Sequence, residues 1–170
     1  MPIRRPDTEL DPRYGDPGAR PVSWAEAEKQ LAAAEVFWIS TVRPDGRPHV
    51  TTLLTVWRDG ALHFCSGVGE RKTRNLETNP HVVLTTGTNA LHGGMDIVVE
   101  GRAETVTDRD TLRALAAAWG EKYGDSWHFE VIDGGFESGT GPARVFRVEP
   151  ETAFGFGKGP YSQTRWAFGR

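Results

Sequence analysis

An antiparallel α+β domain, mainly β and closed into a barrel with helices at its flanks, is the fold class the sequence predicts. Two observations carry that expectation. Runs of β-branched and aromatic residues are punctuated by Asp-Gly pairs, and helical periodicity is confined to short stretches between them. About six or seven strands and three helices result, and closure would remove exposed strand edges.

Residues 1–21 contain Pro2, Pro6, Pro12, Gly15, Pro17, Gly18 and Pro21 without periodicity. They read as a flexible N-terminal arm on a domain spanning 22–170. Ser23 followed by Glu26 is a capping-box pattern, and Trp24, Ala27 and Leu31 then share one helix face. Three β-rich runs follow, at 36–42, 49–57 and 61–65. Arg43-Pro44-Asp45-Gly46 separates the first two and Arg58-Asp59-Gly60 the next two. Gly tolerates positive φ, so Asp-Gly favours the tight turns of a meander.

Segment 69–78 breaks the pattern and reads as a loop feeding a short helix that stops before Asn79-Pro80. Runs 81–86 and 95–106 are two further strands joined through Gly87, Gly93 and Gly94. Residues 107–110 repeat the capping signal. Leu112, Leu115, Ala116 and Trp119 then fall at i, i+3, i+4 and i+7, one apolar helix face. Runs 145–148 and 152–156 are final strands flanking Glu149-Pro150-Glu151, whose carboxylates face solvent. Beyond them lies an aromatic and basic tail.

Composition narrows the function classes. The chain of 170 residues is 38% hydrophobic, with 6 Trp and 8 Phe, enough for one core. A formal net charge of -3 gives no general attraction to nucleic acid or membrane, so an anion site must be local. One cysteine, Cys65, excludes an internal disulfide, and no secretory or membrane-spanning run is present. A cytoplasmic location is the expectation. His49, His63, His81, His92 and His128 show no metal-ligand spacing, and His63 and Cys65 read as strand filling.

The stretch with most chemistry is Ser66-Gly67-Val68-Gly69-Glu70-Arg71-Lys72-Thr73-Arg74-Asn75-Leu76. Glycines admit a ligand close to the backbone, and free N–H groups at a helix start favour an anion. Arg offers a planar fork to phosphate and Lys a point charge. Two readings stand side by side: a phosphate anchor, or a solvated basic helix start. Dinucleotide and P-loop motifs fail, because the third glycine of the one and the glycine before Lys72 for the other are missing. The tail from Phe154 to Phe168 interleaves aromatics with Lys158 and Arg165, which suits stacking on a flat ring or simply a terminal strand burying Trp and Phe.

In these residues the sequence resembles the pyridoxamine 5'-phosphate oxidase-like split-barrel superfamily, within it the flavin- and deazaflavin-dependent oxidoreductases. Carrying the resemblance are the Pro-Asp-Gly-Arg-Pro-His turn, the Arg71-Lys72 pair, Asn75-Leu76 and the following Asn79-Pro80. It implies a six-stranded antiparallel split β-barrel homodimer with cofactor sites at the interface. FMN or coenzyme F420 would be the cofactor and hydride transfer with a small organic substrate the reaction. A non-catalytic binder of flavin or haem, with His49, His63 or His92 as axial ligand, is the alternative, and a phosphate-ligand sensor a third.

By the same resemblance Arg71 and Lys72 hold the cofactor phosphate with Ser66 and Thr73 nearby. His49, Val50, Thr51 and Thr52 run along the ring, and the tail crosses to the other subunit with Lys158, Gln163, Arg165 or Trp166. Segments 88–94 and 127–140 form the substrate side. True pyridoxamine-phosphate oxidases carry Arg and Lys on the second strand, where Val50-Thr51-Thr52-Leu53-Leu54-Thr55 stands here. Their terminal Arg-Leu-x-x-Arg is Ser162-Gln163-Thr164-Arg165, so vitamin B6 oxidation is not expected.

Overall fold

The computed structural model describes residues 5–169. Its elements are β1 (Asp7–Leu10), α1 (Trp24–Ala33), β2 (Phe37–Val42), β3 (Pro48–Leu53), β4 (Val56–Arg58), β5 (Ala61–Gly67) and α2 (Arg71–Thr78). They continue through β6 (His81–Thr86), β7 (Met95–Val106), α3 (Arg109–Tyr123), a 3-10 turn (Asp125–Trp127), β8 (Glu130–Ile132), β9 (Gly135–Glu137), β10 (Pro142–Gly157) and β11 (Ser162–Ala167).

The described strands form one antiparallel sheet of eleven rather than the six expected, within which β5-β10-β7-β6-β2-β3 are consecutive neighbours and form the barrel wall. Both expected hairpins are present. Asp59 (φ 50°) and Gly60 (φ 72°) make a two-residue turn between Arg58 and Ala61, with both central residues in the left-handed region that such turns require. The barrel is split rather than closed, because β3 pairs with β2 alone and makes no ladder with β4 or β5. The run 49–57, read as one strand, breaks at Leu54-Thr55. There the Thr55 N–H donates to the Tyr123 hydroxyl (3.2 Å) and Lys122 Nζ donates to the Thr55 carbonyl (2.8 Å). Side chains of α3 thus take the backbone groups a neighbouring strand would have used.

Residues 142–157, expected as two strands, form one. Its first half pairs with β5 as far as Val148↔Leu62, and its second half pairs with β11 from Thr152↔Ala167. The register against β7 shifts between Pro150 and Thr152, where proline has no N–H for the ladder. One bent strand thereby serves two partners along one edge.

Two apolar cores result. Inside the barrel, Phe37, Ile39, Phe64, Leu84, Val99 and Phe146 are buried, and Trp24, Ala27 and Leu31 of α1 close one end. The Ser23 capping box that starts α1 is formed as the sequence implies. Outside it, Leu112, Leu115 and Trp119 of α3 pack on Val56, Val106, Val145, Phe129 and Phe136. Each fully buried large apolar side chain contributes about 1.5–3 kcal/mol. The N-cap of α3 is Asp108, whose carboxylate accepts from the Thr111 N–H at 2.8 Å.

Two elements depart from the sequence reading. Asp7–Leu10 is no loose arm: it pairs with β11 in the register Asp7↔Ala167 to Leu10↔Thr164 and covers what would be an exposed edge. The β8–β9 hairpin turns on Asp133-Gly134, with Gly134 at φ 72°, inside a stretch read as loop.

His63 on β5 is only 3% exposed, and its Nδ1 has no hydrogen-bond partner among the described residues. Burial first, and the charge of Arg147 second, push its pKa down to about 4. The unfolded chain takes up this proton near pH 6.5 and the folded one does not. Stability from this residue is therefore complete above pH 6.5 and is lost as pH falls toward 4, by on the order of 3 kcal/mol. Urea denaturation of wild type and His63→Gln across pH 4–7 checks this: the variant should lose that slope, and an unchanged slope contradicts the assignment.

Candidate functional site

At the end of β5 the chain turns through Val68-Gly69-Glu70 into α2, and this corner is braced from within. Thr73 Oγ1, fully buried, lies 2.8 Å from the Gly67 carbonyl oxygen and 2.6 Å from Ser66 Oγ. Ser66 and Thr73, read as phosphate neighbours, thus have hydroxyls engaged with the turn itself. Two residues on, Asn75 Nδ2 donates to Thr41 Oγ1 at 2.9 Å, and that oxygen lies 3.4 Å from His49 Nδ1. Leu76 enters the barrel core. The Asn75-Leu76 pair therefore docks α2 onto β2 and the barrel core.

The cations project differently. Arg71, the first helical residue, and Arg74 are exposed. Lys72 is 7% exposed, its Nζ in an ion pair with the Glu70 carboxylate, which also accepts from the Gly67 N–H at 2.8 Å. Glu70, which stood in the quoted motif without a role assigned to it, is the residue that ties Lys72 to this turn and lines the adjoining cavity. His49 reports the local field: burial first, then the charges of Arg43, Lys72 and Arg71, hold its pKa below the ordinary range.

A cavity of about 480 Å³ opens at the seam between β3 and β5, beside this corner. Thr52, Leu53 and Leu54 line one side, Ser66, Gly67 and Glu70 the floor, and Trp127, His128 and Phe129 the far side. That volume lies in the range of small-molecule sites. Trp127, His128, Phe129, Ser138 and Thr140 of segment 127–140 border the cavity. Segment 88–94 does not: it packs on the tail, where Tyr161 OH donates to the Leu91 carbonyl and the Lys158 N–H to the Gly94 carbonyl, both at 2.9 Å. Cys65 also lines the cavity, its thiol pushed by burial up to about 11, so it is no thiolate nucleophile. Among the described residues no group of three His, Cys, Asp or Glu is placed to hold a metal.

The residues read along the ring divide by strand alternation. His49 and Thr51 are half-buried, with His49 Nδ1 3.4 Å from Thr41 Oγ1, whereas Val50 and Thr52 are exposed, Val50 at 52% and Thr52 along the cavity. Tail residues do not reach the corner within one chain. Ala143 pairs with Gly67 and Gly157 with Ser162, so the two ends of β10 stand about 45 Å apart along the strand. Lys158 pairs with Asp96 (2.6 Å) and Arg165 with Glu9 (3.4 Å), and Gln163 lies in register with Phe156. Trp166 is corrected outright. It is fully buried, its Nε1 donates to the Val22 carbonyl at 3.0 Å, and its ring meets Trp24 at 5.4 Å. Alternation along β11 turns Ser162, Thr164 and Trp166 inward together.

The sequence profile described as pyridoxamine 5'-phosphate oxidase matches residues 23–156. The chain belongs to the pyridoxamine 5'-phosphate oxidase family. No curated protein sequence matches it. Among solved structures, a FAD-binding protein from Mesorhizobium loti is similar at 25% identity and TM-score 0.59, over 87% of this chain and 96% of that one. The haem storage protein HutZ from Vibrio cholerae is similar at 21% identity and TM-score 0.59, over 79% and 94%. An F420 reductase is similar at 21% identity and TM-score 0.56, over 74% and 94%. The last two likenesses speak to the fold that this family member shares with them.

Asn75→Ala should cost about 1–3 kcal/mol of stability, because Thr41 loses its buried donor and α2 its tie to β2. Chemical denaturation checks this, and a loss under about 0.5 kcal/mol would show the docking bond to be idle.

Proposed function

We propose that the protein is an oxidoreductase that binds a phosphorylated flavin-type cofactor, FMN or coenzyme F420, in the seam cavity. The observation that carries this reading is that the cavity is lined by Ser66, Gly67 and Glu70 of the turn into α2, with Arg71 and Lys72 on the next two positions, just outside that lining, at a helix start whose first N–H groups favour an anion. The residues fit such a group: Gly69, in the adjoining turn, leaves open space where a side chain would stand, and the half-exposed Trp127 offers flat apolar surface on the cavity that Leu53 and Leu54 also line. Arg71 and Lys72 would hold the phosphate, and β3, with no strand on its second edge, would offer backbone groups to the ring. When bound, the cofactor supplies the hydride chemistry. The protein's part is to orient the ring, hold the substrate against it under segment 127–140, and exclude water.

The functional unit under this reading is a homodimer. Val36, Trp38 and Val50 are about half exposed and lie on the outward side of neighbouring β2 and β3. Covering them with a second copy would hide an apolar patch at the mouth of the cavity. It would also let Lys158, Gln163 or Arg165 of one protomer approach the corner of the other. No helix among the described residues is long and apolar enough to cross a membrane, and a cytoplasmic location is part of the proposal. The haem alternative rests on His49, half-buried beside Thr41 near the start of α2, since His63 is buried and His92 sits beside Tyr161 at the other end of β10.

Fluorescence quenching on titration with FMN and with coenzyme F420 tests the site. Arg71→Ala combined with Lys72→Met should weaken binding by about 2–4 kcal/mol without loss of fold, taking each contact at the scale of a charged hydrogen bond. Unchanged affinity means the anchor lies elsewhere. Trp38→Glu should convert the dimer to monomer in analytical ultracentrifugation, and a variant that still sediments as a dimer would move the interface away from β2.

A further inference from the structure

Resting on the reading above, we infer that Glu70 is a built-in anion seated where the cofactor phosphate belongs, and that ligand phosphate binds by displacing it. Three observations place the carboxylate there. It forms an ion pair with Lys72, the buried one of the two phosphate-holding cations. It accepts the Gly67 N–H at 2.8 Å, so it sits over the turn that opens α2. A β-carbon at Gly67 would stand 3.2 Å from its Oε1, so the glycine leaves the room in which the carboxylate lies.

The arrangement has a physical reason. A buried ammonium without a counter-charge is costly, and Glu70 supplies one while the site holds no ligand. Burial works against the carboxylate, but Lys72 and the Gly67 N–H outweigh it and keep its pKa below the ordinary value. Its side chain remains about half exposed (49%), so it can swing into water when a phosphate arrives. A ligand that must first displace an occupant binds more weakly in proportion to the fraction of sites that stand free. Glu70 thereby sets how much the phosphate adds to affinity: a ligand carrying the ring alone gains nothing from its departure. Glu70 is a positioning and specificity residue toward Lys72, not a catalytic one.

Glu70→Gln tests this, because the amide oxygen can still accept from Gly67 while the charge is gone. The variant should bind FMN about tenfold tighter than wild type and bind riboflavin, which has the ring without the phosphate, equally well. The melting temperature of the ligand-free variant should fall, and inorganic phosphate should raise it more than it raises that of wild type. Glu70→Ser supplies the same readouts should Glu70→Gln fold poorly. FMN binding that is unchanged or weaker in the variant, or an equal gain for riboflavin, overturns the inference. The phosphate-dependent shift decides the matter by itself if FMN binds neither form. If wild-type binding depends on Arg71 and Lys72 but not on Glu70, this inference alone falls. If it depends on none of the three, the anchor itself is wrong.

Discussion

Everything about the site follows from the grip of α3 on Thr55. The Tyr123 hydroxyl accepts from the Thr55 N–H and lies 2.8 Å from the Glu35 carbonyl, while Lys122 Nζ donates to the carbonyls of Thr55 (2.8 Å) and Ala34 (2.7 Å). Burial pushes that ammonium down to about 8, against the pull of Glu35. With its backbone groups so engaged, the chain leaves β3 early and next pairs, as β4, with the outer edge of β5. The barrel cannot close there. What would have been a continuous ladder becomes a seam wide enough for a cavity.

Once the seam exists, α2 makes it polar at one end. Thr73 and Asn75 anchor the helix to the turn and to β2, which fixes the direction in which its first residues present their charge. Lys72 is then buried and Arg71 exposed on adjacent positions, a division that gives one cation a fixed location and the other freedom to reach. A buried ion pair such as Lys72 with Glu70 adds little to stability, since desolvation offsets attraction. Family membership fits this geometry. The fold is shared with the FAD-binding protein from Mesorhizobium loti and with the haem storage protein from Vibrio cholerae.

Much of this was legible before any coordinates. The Asp-Gly turn at Gly60, the capping box at Ser23 and the apolar face of α3 all obey local rules, and each forms where those rules put it. The Arg71-Lys72 helix start was equally readable. What escaped was non-local. Glu70 was visible in the motif, but only the fold of the turn shows its carboxylate returning to Gly67 and Lys72. Asp133-Gly134 carried the same hairpin signal as the other pairs and was passed over inside a loop-like stretch. Asp7–Leu10 has no strand signature of its own, and only the free edge of β11 makes it one. Trp166 read as a ligand contact because aromatics beside cations suit flat rings; strand alternation decided for the core.

Backbone amide shifts on titration with FMN, compared with riboflavin, test the central claim most directly. If the start of α2 is the anion seat, FMN alone moves the amides of Gly67 and Glu70 through Thr73, and both ligands move those lining the seam. Phosphate-specific shifts confined to residues far from that corner, with the α2 amides silent, would contradict the account.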